Sequence, residues 1–299
     1  MIPLLLLAIP SYPQAISLYG ENDILSKTDQ YYTHGTKITY HDDVLQDWCF
    51  PGYENTSLYL SQMIYTPNSI KEETPDITQR PYCGLLYLGA SYDRQNVNYY
   101  EQINMAVGVV GPYSFSEQSQ TQVHKWINDD LPQGWDHQVD TEPGIIFSYQ
   151  RDYTYDLIDM DIVSLKAVPI AGGTAGNFFT FANAGGALFF GHNIKDRPMP
   201  VIVEPTNTLE DYMKSKSFRL YGLVGTEGRA ILRNIALDGN IYDNEPSVEK
   251  KDFVYDIFYG FVAAFENVEV MFTKVQRSKE FDTQKEDASY NSVQLKYTF

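Results

Sequence analysis

The last eight residues of the chain, 292–299, alternate polar and apolar side chains and end on an aromatic carboxyl terminus. Successive side chains of a β-strand point to opposite faces, so one face of this strand would carry all four apolar groups: Val293, Leu295, Tyr297 and Phe299. Lipid offers no hydrogen-bond partners, and a membrane-spanning sheet must therefore close into a barrel that is apolar outside and polar inside. The pattern favours the closing strand of an outer-membrane β-barrel, although a soluble β-sandwich can end in the same way.

The composition and the period-two pattern of the whole chain also favour a barrel. The chain contains 24 Tyr, 16 Phe and 3 Trp, which suits the two aromatic girdles of such proteins. No run approaches the roughly 20 apolar residues of a membrane helix. The segment 217–238 is either one long strand or a hairpin. Alternation predicts an all-β, transmembrane antiparallel β-barrel of about twelve strands, near residues 15–24, 31–42, 55–66, 82–93, 99–111, 144–152, 157–170, 177–191, 217–238, 251–265, 268–278 and 288–298.

If both chain termini lie in the periplasm, the connections sort into inner turns and outer loops. We expect an inner turn at 153–156 and an outer loop at 171–176. The third outer loop, 112–143, is long enough to have structure of its own. Its spacing predicts a short extracellular helix that is capped by Ser116 and runs to about Asp130.

The longest continuous apolar run lies at the N terminus, from Ile2 to Ile9. It resembles the apolar region of a secretory signal, with Ala15 as a possible cleavage position. The positively charged start that is typical of such signals is missing. We expect residues 1–15 to form a signal peptide and residues 16–299 to form the barrel domain.

Charge and cysteine content exclude several classes of function. Acidic residues outnumber basic ones by 39 to 22, which gives a formal net charge of −17. This charge argues against nucleic acid as a partner, since phosphate binding needs a basic surface. It fits an outer surface that collects divalent cations, or acidic loops that keep the protein soluble. The two cysteines, Cys49 and Cys83, provide no disulfide framework or zinc knuckle. We place them at opposite ends of a strand, about 35 Å apart, and predict no bridge.

Polar residues from three segments converge on the outer ends of the predicted strands. Asn22 and Asp23 end the first strand, and Thr33 opens the second. Gln120 and His124 are four residues apart on the predicted helix and therefore share one face. Histidine suits proton transfer near neutral pH, and Asp with Thr or a second Asp can hold a hard cation such as calcium.

These segments, together with others along the chain, resemble the outer-membrane lipid A 3′-O-deacylase family. The match runs in order through nearly all of the chain after its N-terminal segment, so it is more specific than any single motif. The motifs that carry it are Glu21-Asn22-Asp23, Tyr32-Thr33-x-Gly35, Tyr65-Thr66-Pro67, Arg80-Pro81-Tyr82-x-Gly84, Val110-Gly111-Pro112, Gln120-x-x-x-His124, Gly134-Trp135-Asp136-x-Gln138, Glu142-Pro143, Gly176-Asn177 with Thr180, Leu237-Asp238-Gly239-Asn240, and Lys279-Glu280-Phe281 with Gln284.

The resemblance implies a calcium-dependent ester hydrolase that removes a 3′-linked acyl or acyloxyacyl group from the lipid A of lipopolysaccharide. By this analogy His124 activates water to attack the ester carbonyl. A calcium ion held partly by Asp23 takes the developing oxyanion, so no serine nucleophile is needed. Asn22, Thr33 and Gln120 match further polar positions of the family site.

The resemblance also implies where the metal and the protein lie. Asp23, Thr33 and an acid that follows the histidine would hold the cation; Asp130 matches that acid best, and Asp129 is the alternative one residue away. The site would face the extracellular side of the bacterial outer membrane, in contact with lipopolysaccharide and outer-membrane lipids. The barrel-assembly machinery would recognise the C-terminal strand.

One segment departs from the family pattern. The family carries a basic pair in the second outer loop, suited to a lipid A phosphate, whereas the second outer loop of this chain, predicted at 67–81, has Lys71-Glu72-Glu73 there. Lys71 or Arg80 is a candidate substitute. The two acids leave open a phospholipase-like barrel hydrolase that acts on glycerophospholipids. A catalytically inactive barrel or a pore is the non-enzyme alternative, although side chains fill much of a lumen this narrow.

Overall fold

The computed structural model describes residues 15–23, 30–41, 50–53, 55–96, 99–160, 162–195, 218–242 and 246–299. In these ranges the strands are β1 Ala15–Asn22, β2 Tyr31–His41, β3 Asn55–Thr66, β4 Cys83–Gln95, β5 Tyr100–Val110, β6 Glu142–Asp152, β7 Tyr155–Asp159, β8 Ser164–Gly176, β9 Phe179–His192, β10 Arg219–Asn234, β11 Phe253–Phe265, β12 Val268–Arg277 and β13 Ala288–Thr298. The helices are α1 Ser116–Ile127 and α2 Ile235–Asp238, with single 3-10 turns at Pro112–Ser114 and Trp135–His137. None of these helices has the length and apolarity to cross a membrane.

The strands form one antiparallel sheet that closes on itself. Sequence neighbours pair from β1 to β6 and from β7 to β13, while β1 pairs with β13 and β6 pairs with β8. β7 continues the course of β6 along the same edge of β8, so β6 and β7 occupy one position in the wall. The thirteen strands therefore make twelve wall positions, and the predicted twelve-stranded barrel is confirmed.

Side chains alternate between an apolar outer face and a polar lumen. In β13 the side chains of Val293 and Leu295 are exposed, whereas those of Gln294 and Lys296 are buried inside. Hydrogen-bonded neighbours extend the exposed apolar row around the wall through Leu18, Ile38, Leu60 and Leu88. Because lipid can satisfy no polar group, this is the arrangement that a closed membrane sheet requires.

A buried network of charged side chains fills the lumen near the end that carries α1. Arg277 contacts Asp256 through two hydrogen bonds, Nε to Oδ1 and Nη2 to Oδ2, each 2.8 Å long. Arg229 donates to the same carboxylate, and Arg80 pairs with Glu280 at 3.1 Å. All five side chains are buried. Such charge-assisted bonds pack this part of the lumen with protein groups.

The break between β6 and β7 lies opposite Pro169. The Tyr153 N–H donates to the Pro169 carbonyl oxygen at 3.1 Å, but proline has no N–H with which to return the bond. The strand then resumes as β7, and the Met160 N–H donates to the Val163 carbonyl oxygen at 3.2 Å between β7 and β8. The predicted inner turn at 153–156 is therefore wrong, and so is the predicted outer loop at 171–176, which lies inside β8.

The remaining sequence predictions about the scaffold have mixed outcomes. Of the two alternatives for residues 217–238, the single strand is correct from residue 219, and α2 follows it. Cys83 is a buried free thiol. Cys49 and residues 1–14 lie outside the described residues, so the absence of a disulfide and the signal peptide stay predictions.

The predicted helix exists as α1, but both of its ends differ from the prediction. Phe115 precedes the helix with φ 57° and provides no side-chain cap, so the predicted Ser116 cap is wrong. Asn128 ends the helix in the left-handed conformation, with φ 57°, before the predicted end near Asp130. Asparagine adopts this conformation more readily than most residues, which explains the early end.

Candidate active site

Helix α1 lies against the outer wall of the barrel. Gln62 and Ile64 of β3 and Gly84 of β4 belong to outward-facing rows of the sheet, and α1 packs on these two strands. The Gln62 Nε2 group donates to the Ser114 carbonyl oxygen at 2.7 Å. A Cβ atom on Gly84 would overlap the side chain of Ser116, so glycine permits this close approach. The helix therefore covers the lipid-facing side of the wall at one end of the barrel.

A β-bulge shapes the wall beneath the helix. The register of β2 against β3 shifts between Tyr32 and His34, which makes Thr33 the extra residue. Bulges bend a strand and redirect its side chains, and they are common beside active sites. The Thr33 hydroxyl lies 2.6 Å from the Thr66 hydroxyl. As a result of the bulge, two consecutive residues of β2 reach the same cavity, which alternation alone would prevent.

An open cavity lies between this wall and α1. Its lining comes from β1, β2, β3 and one face of α1, and consists of Asn22, Thr33, His34, Ile64, Ser119, Gln120, Val123 and His124. Four of the five predicted catalytic residues thus meet at one place. The fifth, Asp23, directly follows Asn22 but is not part of the lining.

The ring of His124 is buried and held in one orientation. Its Nδ1 atom lies 2.5 Å from the Asp130 backbone carbonyl oxygen. A carbonyl oxygen can only accept, so Nδ1 carries the hydrogen in the neutral ring. Nε2 then keeps its lone pair, which is the form that can take a proton from water.

The side-chain amide of Gln120 is also fixed. The Trp135 indole N–H donates to Gln120 Oε1 at 2.9 Å. Since an indole nitrogen can only donate, the contacted atom must be the amide oxygen. The Nε2 group is buried and has no hydrogen-bond partner among the described residues. Gln120 therefore brings to the cavity lining a donor that a ligand oxygen can satisfy.

Asn22 and Asp23 hold the ends of β1 and β2 together. The Asn22 Nδ2 group donates to the Thr33 carbonyl oxygen at 3.0 Å. The Asp23 carboxylate is 1 % exposed and accepts a hydrogen bond from the Gln30 backbone N–H at 2.8 Å. Asp23 is thus a buried carboxylate one residue beyond a lining residue.

The carboxylate of Asp130 pairs with a lysine of the second outer loop. It forms an ion pair with Lys71 Nζ at 2.6 Å, and both side chains are exposed. The hydrogen bond from Lys71 lowers the pKa of the Asp130 carboxyl, and the same bond raises the pKa of the Lys71 ammonium. The pair is therefore intact at neutral pH and is lost as the pH falls through the lowered pKa of Asp130 or rises through the raised pKa of Lys71. A second link, from the Gln133 N–H to the Ile70 carbonyl oxygen at 2.8 Å, joins the same two loops.

The second outer loop presents acids to solvent. Glu72 and Glu73 are exposed beside Lys71. Arg80 is fully buried, pairs with Glu280 and lies 4.4 Å from the centre of the Tyr65 ring. Arg80 is therefore not placed to contact a phosphate at the surface.

The sequence did not single out four lining residues: Ile64, Ser119, Val123 and His34. Ser119 and Val123 share a face with Gln120 and His124 and were detectable from helical spacing. His34 Nε2 lies 2.6 Å from the Thr36 hydroxyl, and its position depends on the bulge, which no sequence period reveals. Ile64 lies opposite His34 across the β2–β3 pair.

The oxygen atoms near the cavity suit a hard cation, although they do not form a complete metal site. Within the described ranges, no three His, Cys, Asp or Glu side chains are placed to hold a metal. The available donors are the Asp23 carboxylate, the Thr33 hydroxyl and the Asn22 amide oxygen, the chemistry that calcium prefers. Calcium takes six to eight oxygens, so water or substrate would supply the others. The predicted ligand Asp130 presents its carboxylate to Lys71.

Comparisons with known proteins agree with this architecture. A family model described as "Outer membrane protein LpxR" matches residues 2–299. The solved structure of LpxR from Salmonella typhimurium has a TM-score of 0.82 at 17% sequence identity, covering 95% of this chain and 100% of that chain. The β domain of the Bordetella autotransporter BrkA has a TM-score of 0.45 at 10% identity, covering 96% of this chain and 98% of that chain. The translocator domain of NalP from Neisseria meningitidis has a TM-score of 0.40 at 11% identity, covering 98% of this chain and 91% of that chain. No curated protein matches.

Proposed function

This chain belongs to the LpxR family of outer-membrane proteins, and from this premise we propose that it is a lipid A deacylase. The enzyme hydrolyses a 3′-linked ester and removes an acyl or acyloxyacyl group from lipopolysaccharide, with the α1 end of the barrel facing the extracellular side. The position of the cavity supports this proposal most strongly. It lies on the lipid-facing wall, and one outward-facing row, Gly20, Thr36 and Gln62, separates it from the exposed apolar row. A membrane lipid can therefore present an ester to His124 without leaving the bilayer.

The side chains of the cavity support hydrolysis by an activated water molecule. His124 takes a proton from water as the water oxygen attacks the ester carbonyl, and then gives the proton to the departing sugar oxygen. The products are a carboxylic acid and a sugar hydroxyl. The Gln120 Nε2 group, oriented by Trp135, donates to the oxygen on which negative charge develops. The Asp130 carbonyl keeps the ring of His124 in the tautomer that this step needs.

We propose calcium as the cofactor, with Asp23, Thr33 and Asn22 as its protein ligands. When bound, the ion supplies Lewis-acid stabilisation of the developing oxyanion. Asp130 stays a predicted fourth ligand, and its carboxylate would first have to leave Lys71. Asp23 contributes the one buried carboxylate of this set.

Removal of the Asp23 carboxylate is expected to weaken calcium binding. Asp23→Asn should raise the calcium concentration for half-maximal activity on the order of tenfold, because ligand charge controls affinity in such sites. Direct calorimetric titration of the folded protein with calcium, in the absence of lipid, should show the same change. Asp252→Asn, which changes an exposed carboxylate beside Lys250, is the matched control and should bind calcium as the wild type does. Equal calcium affinity in Asp23→Asn and wild type would contradict the assignment.

Lys71 is expected to act by positioning the loop that follows α1, and Lys71→Met should lower kcat severalfold with KM unchanged. Asp130→Asn removes the same ion pair but keeps the backbone carbonyl, so at saturating calcium it should have a similar effect, and the double variant should be no worse than either single one. A residue that binds a lipid A phosphate would instead change KM. Steady-state kinetics distinguish the two: a raised KM with unchanged kcat in Lys71→Met would refute the positioning role.

The acids of the second outer loop favour a second candidate within the same chemistry. Glu72 and Glu73 repel the phosphates of lipid A, which keeps open the hydrolysis of a glycerophospholipid such as phosphatidylethanolamine, whose ammonium group offsets its phosphate charge. The buried Arg277–Asp256–Arg229 network opposes a pore, because these side chains occupy the lumen.

Comparison of lipid substrates tests the proposal. Purified protein with calcium should release fatty acid from lipid A and leave vesicles of phosphatidylethanolamine and phosphatidylglycerol intact. Release from the phospholipid vesicles alone would support the phospholipase. Channel conductance in planar bilayers without release from either lipid would support the pore.

A further inference from the structure

Gly20 is the one glycine of the described strands that packing within the protein does not explain. An added Cβ atom would meet a neighbouring atom within 4 Å at each of the other strand glycines, but at Gly20 it would meet no atom of the described residues. Glycine in a strand interior costs stability. It often marks a place where a ligand or another backbone comes close. Position 20 therefore has room for a larger side chain, and glycine there lacks the stability that such a side chain would add to the strand.

This residue lies directly below the cavity on the outer wall. Gly20 is exposed, points outward and comes two residues before Asn22 in β1, which places it roughly 7 Å below the cavity lining. Its neighbours in the same row are Val293 of β13 and Thr36 of β2. Leu18 lies in the next row down. We call the open space over Gly20, between Val293 and Thr36, the Gly20 notch.

The notch presents an apolar surface in spite of its polar neighbour. The Thr36 hydroxyl lies 2.6 Å from His34 Nε2, so a neighbouring side chain of the same strand already provides its hydrogen-bond partner. The row below consists of exposed apolar side chains, among them Leu18 and Ile38. A hydrocarbon chain that descends from the cavity would contact the bare backbone at Gly20 and then this apolar row.

We propose that the Gly20 notch is the acyl-chain subsite of the enzyme: it holds the hydrocarbon of the ester whose carbonyl lies in the cavity. This inference rests on the proposed function. A chain lying in the notch keeps the ester carbonyl at the level of His124 and orients it for attack by water. A side chain larger than hydrogen at position 20 would occupy the path of the substrate.

The test compares Gly20→Leu with Ala184→Leu. Ala184 is exposed on β9, the fifth strand around the wall from β1, and adds the same side chain to the lipid-facing surface far from the cavity. Gly20→Leu should lower kcat/KM for lipid A at least about tenfold, since binding energy of the chain supports the reaction. Its thermal unfolding midpoint should equal or exceed that of the wild type, because the site has room for the side chain. Ala184→Leu should leave both quantities unchanged.

Substrates with acyl chains of graded length complete the test. The loss in Gly20→Leu should grow with chain length and be smallest for an acetyl ester, which is too short to reach the notch. If wild type deacylates lipid A and Gly20→Leu does so equally well, the subsite is overturned and the proposed function survives. Wild type without esterase activity on any lipid overturns both. A lower unfolding midpoint with equal losses for short and long chains means that another part of the chain covers Gly20, which also overturns the subsite.

Discussion

Replacement of His124 with alanine is expected to lower the rate of lipid A deacylation by about 10²–10⁴-fold, the usual contribution of a positioned general base. The imidazole is buried in the cavity lining, and the Asp130 carbonyl fixes which nitrogen can accept a proton. Among the described histidines, His124 alone is buried, lines the cavity and has its tautomer fixed by a backbone carbonyl. The rate of fatty-acid release from purified lipid A, measured at saturating calcium, checks this prediction.

His137→Ala is the matched control for this loss. His137 is exposed and lies in the 3-10 turn Trp135–His137, in the same outer loop as α1. It makes no contact with the cavity lining among the hydrogen bonds of the described residues. His137→Ala should retain wild-type activity, and both variants should unfold at the wild-type temperature. Wild-type activity in folded His124→Ala would remove the histidine from the chemistry.

Gly84→Ala is expected to inactivate the enzyme without unfolding the barrel. A Cβ atom on Gly84 would overlap the side chains of Ser114 and Ser116, which are short and attached directly to the start of α1. The helix must therefore move away from the wall and carry Gln120 and His124 with it. A misplacement of about 1 Å can lower a rate by about 10²-fold. Fatty-acid release and thermal unfolding, measured side by side, separate a displaced site from a damaged scaffold.

Gly228→Ala provides the comparison at an outward-facing glycine of β10. The nearest atom to its added Cβ is Phe253 Cζ at 2.9 Å, the far end of a flexible side chain that can rotate away. This variant should keep both activity and stability. Equal activities of Gly84→Ala and Gly228→Ala would show that the position of α1 on the wall does not control the chemistry.

The regular parts of the fold could be predicted from the sequence because they depend on side-chain period. Val293, Leu295 and their counterparts in other strands are exposed where alternation places them. The four-residue spacing of Gln120 and His124 predicted that both would face one side, and both line the cavity. The predicted turn at 153–156 and loop at 171–176 were wrong because a backbone feature overrides the side-chain period there. Pro169 interrupts the pairing of β6 with β8.

Other parts of the site depend on long-range contacts that no local pattern contains. The bulge at Thr33 exists only in the register between β2 and β3, and it is what brings His34 to the cavity. The bond from Trp135 to Gln120 joins two segments of the long loop, and it determines which end of the amide is left for a ligand. The pairing of Lys71 with Asp130 could not be read from charge alone, because several acids lie nearby.

The most direct measurement is mass spectrometry of lipid A from bacteria that express the protein in the outer membrane with calcium present. The proposed function predicts a lipid A species lighter by one ester-linked acyl or acyloxyacyl group in cells with the wild-type chain. That species should be missing from cells with folded His124→Ala. An unchanged lipid A spectrum in cells whose outer membranes contain the folded wild-type barrel would contradict the assignment as a lipid A deacylase.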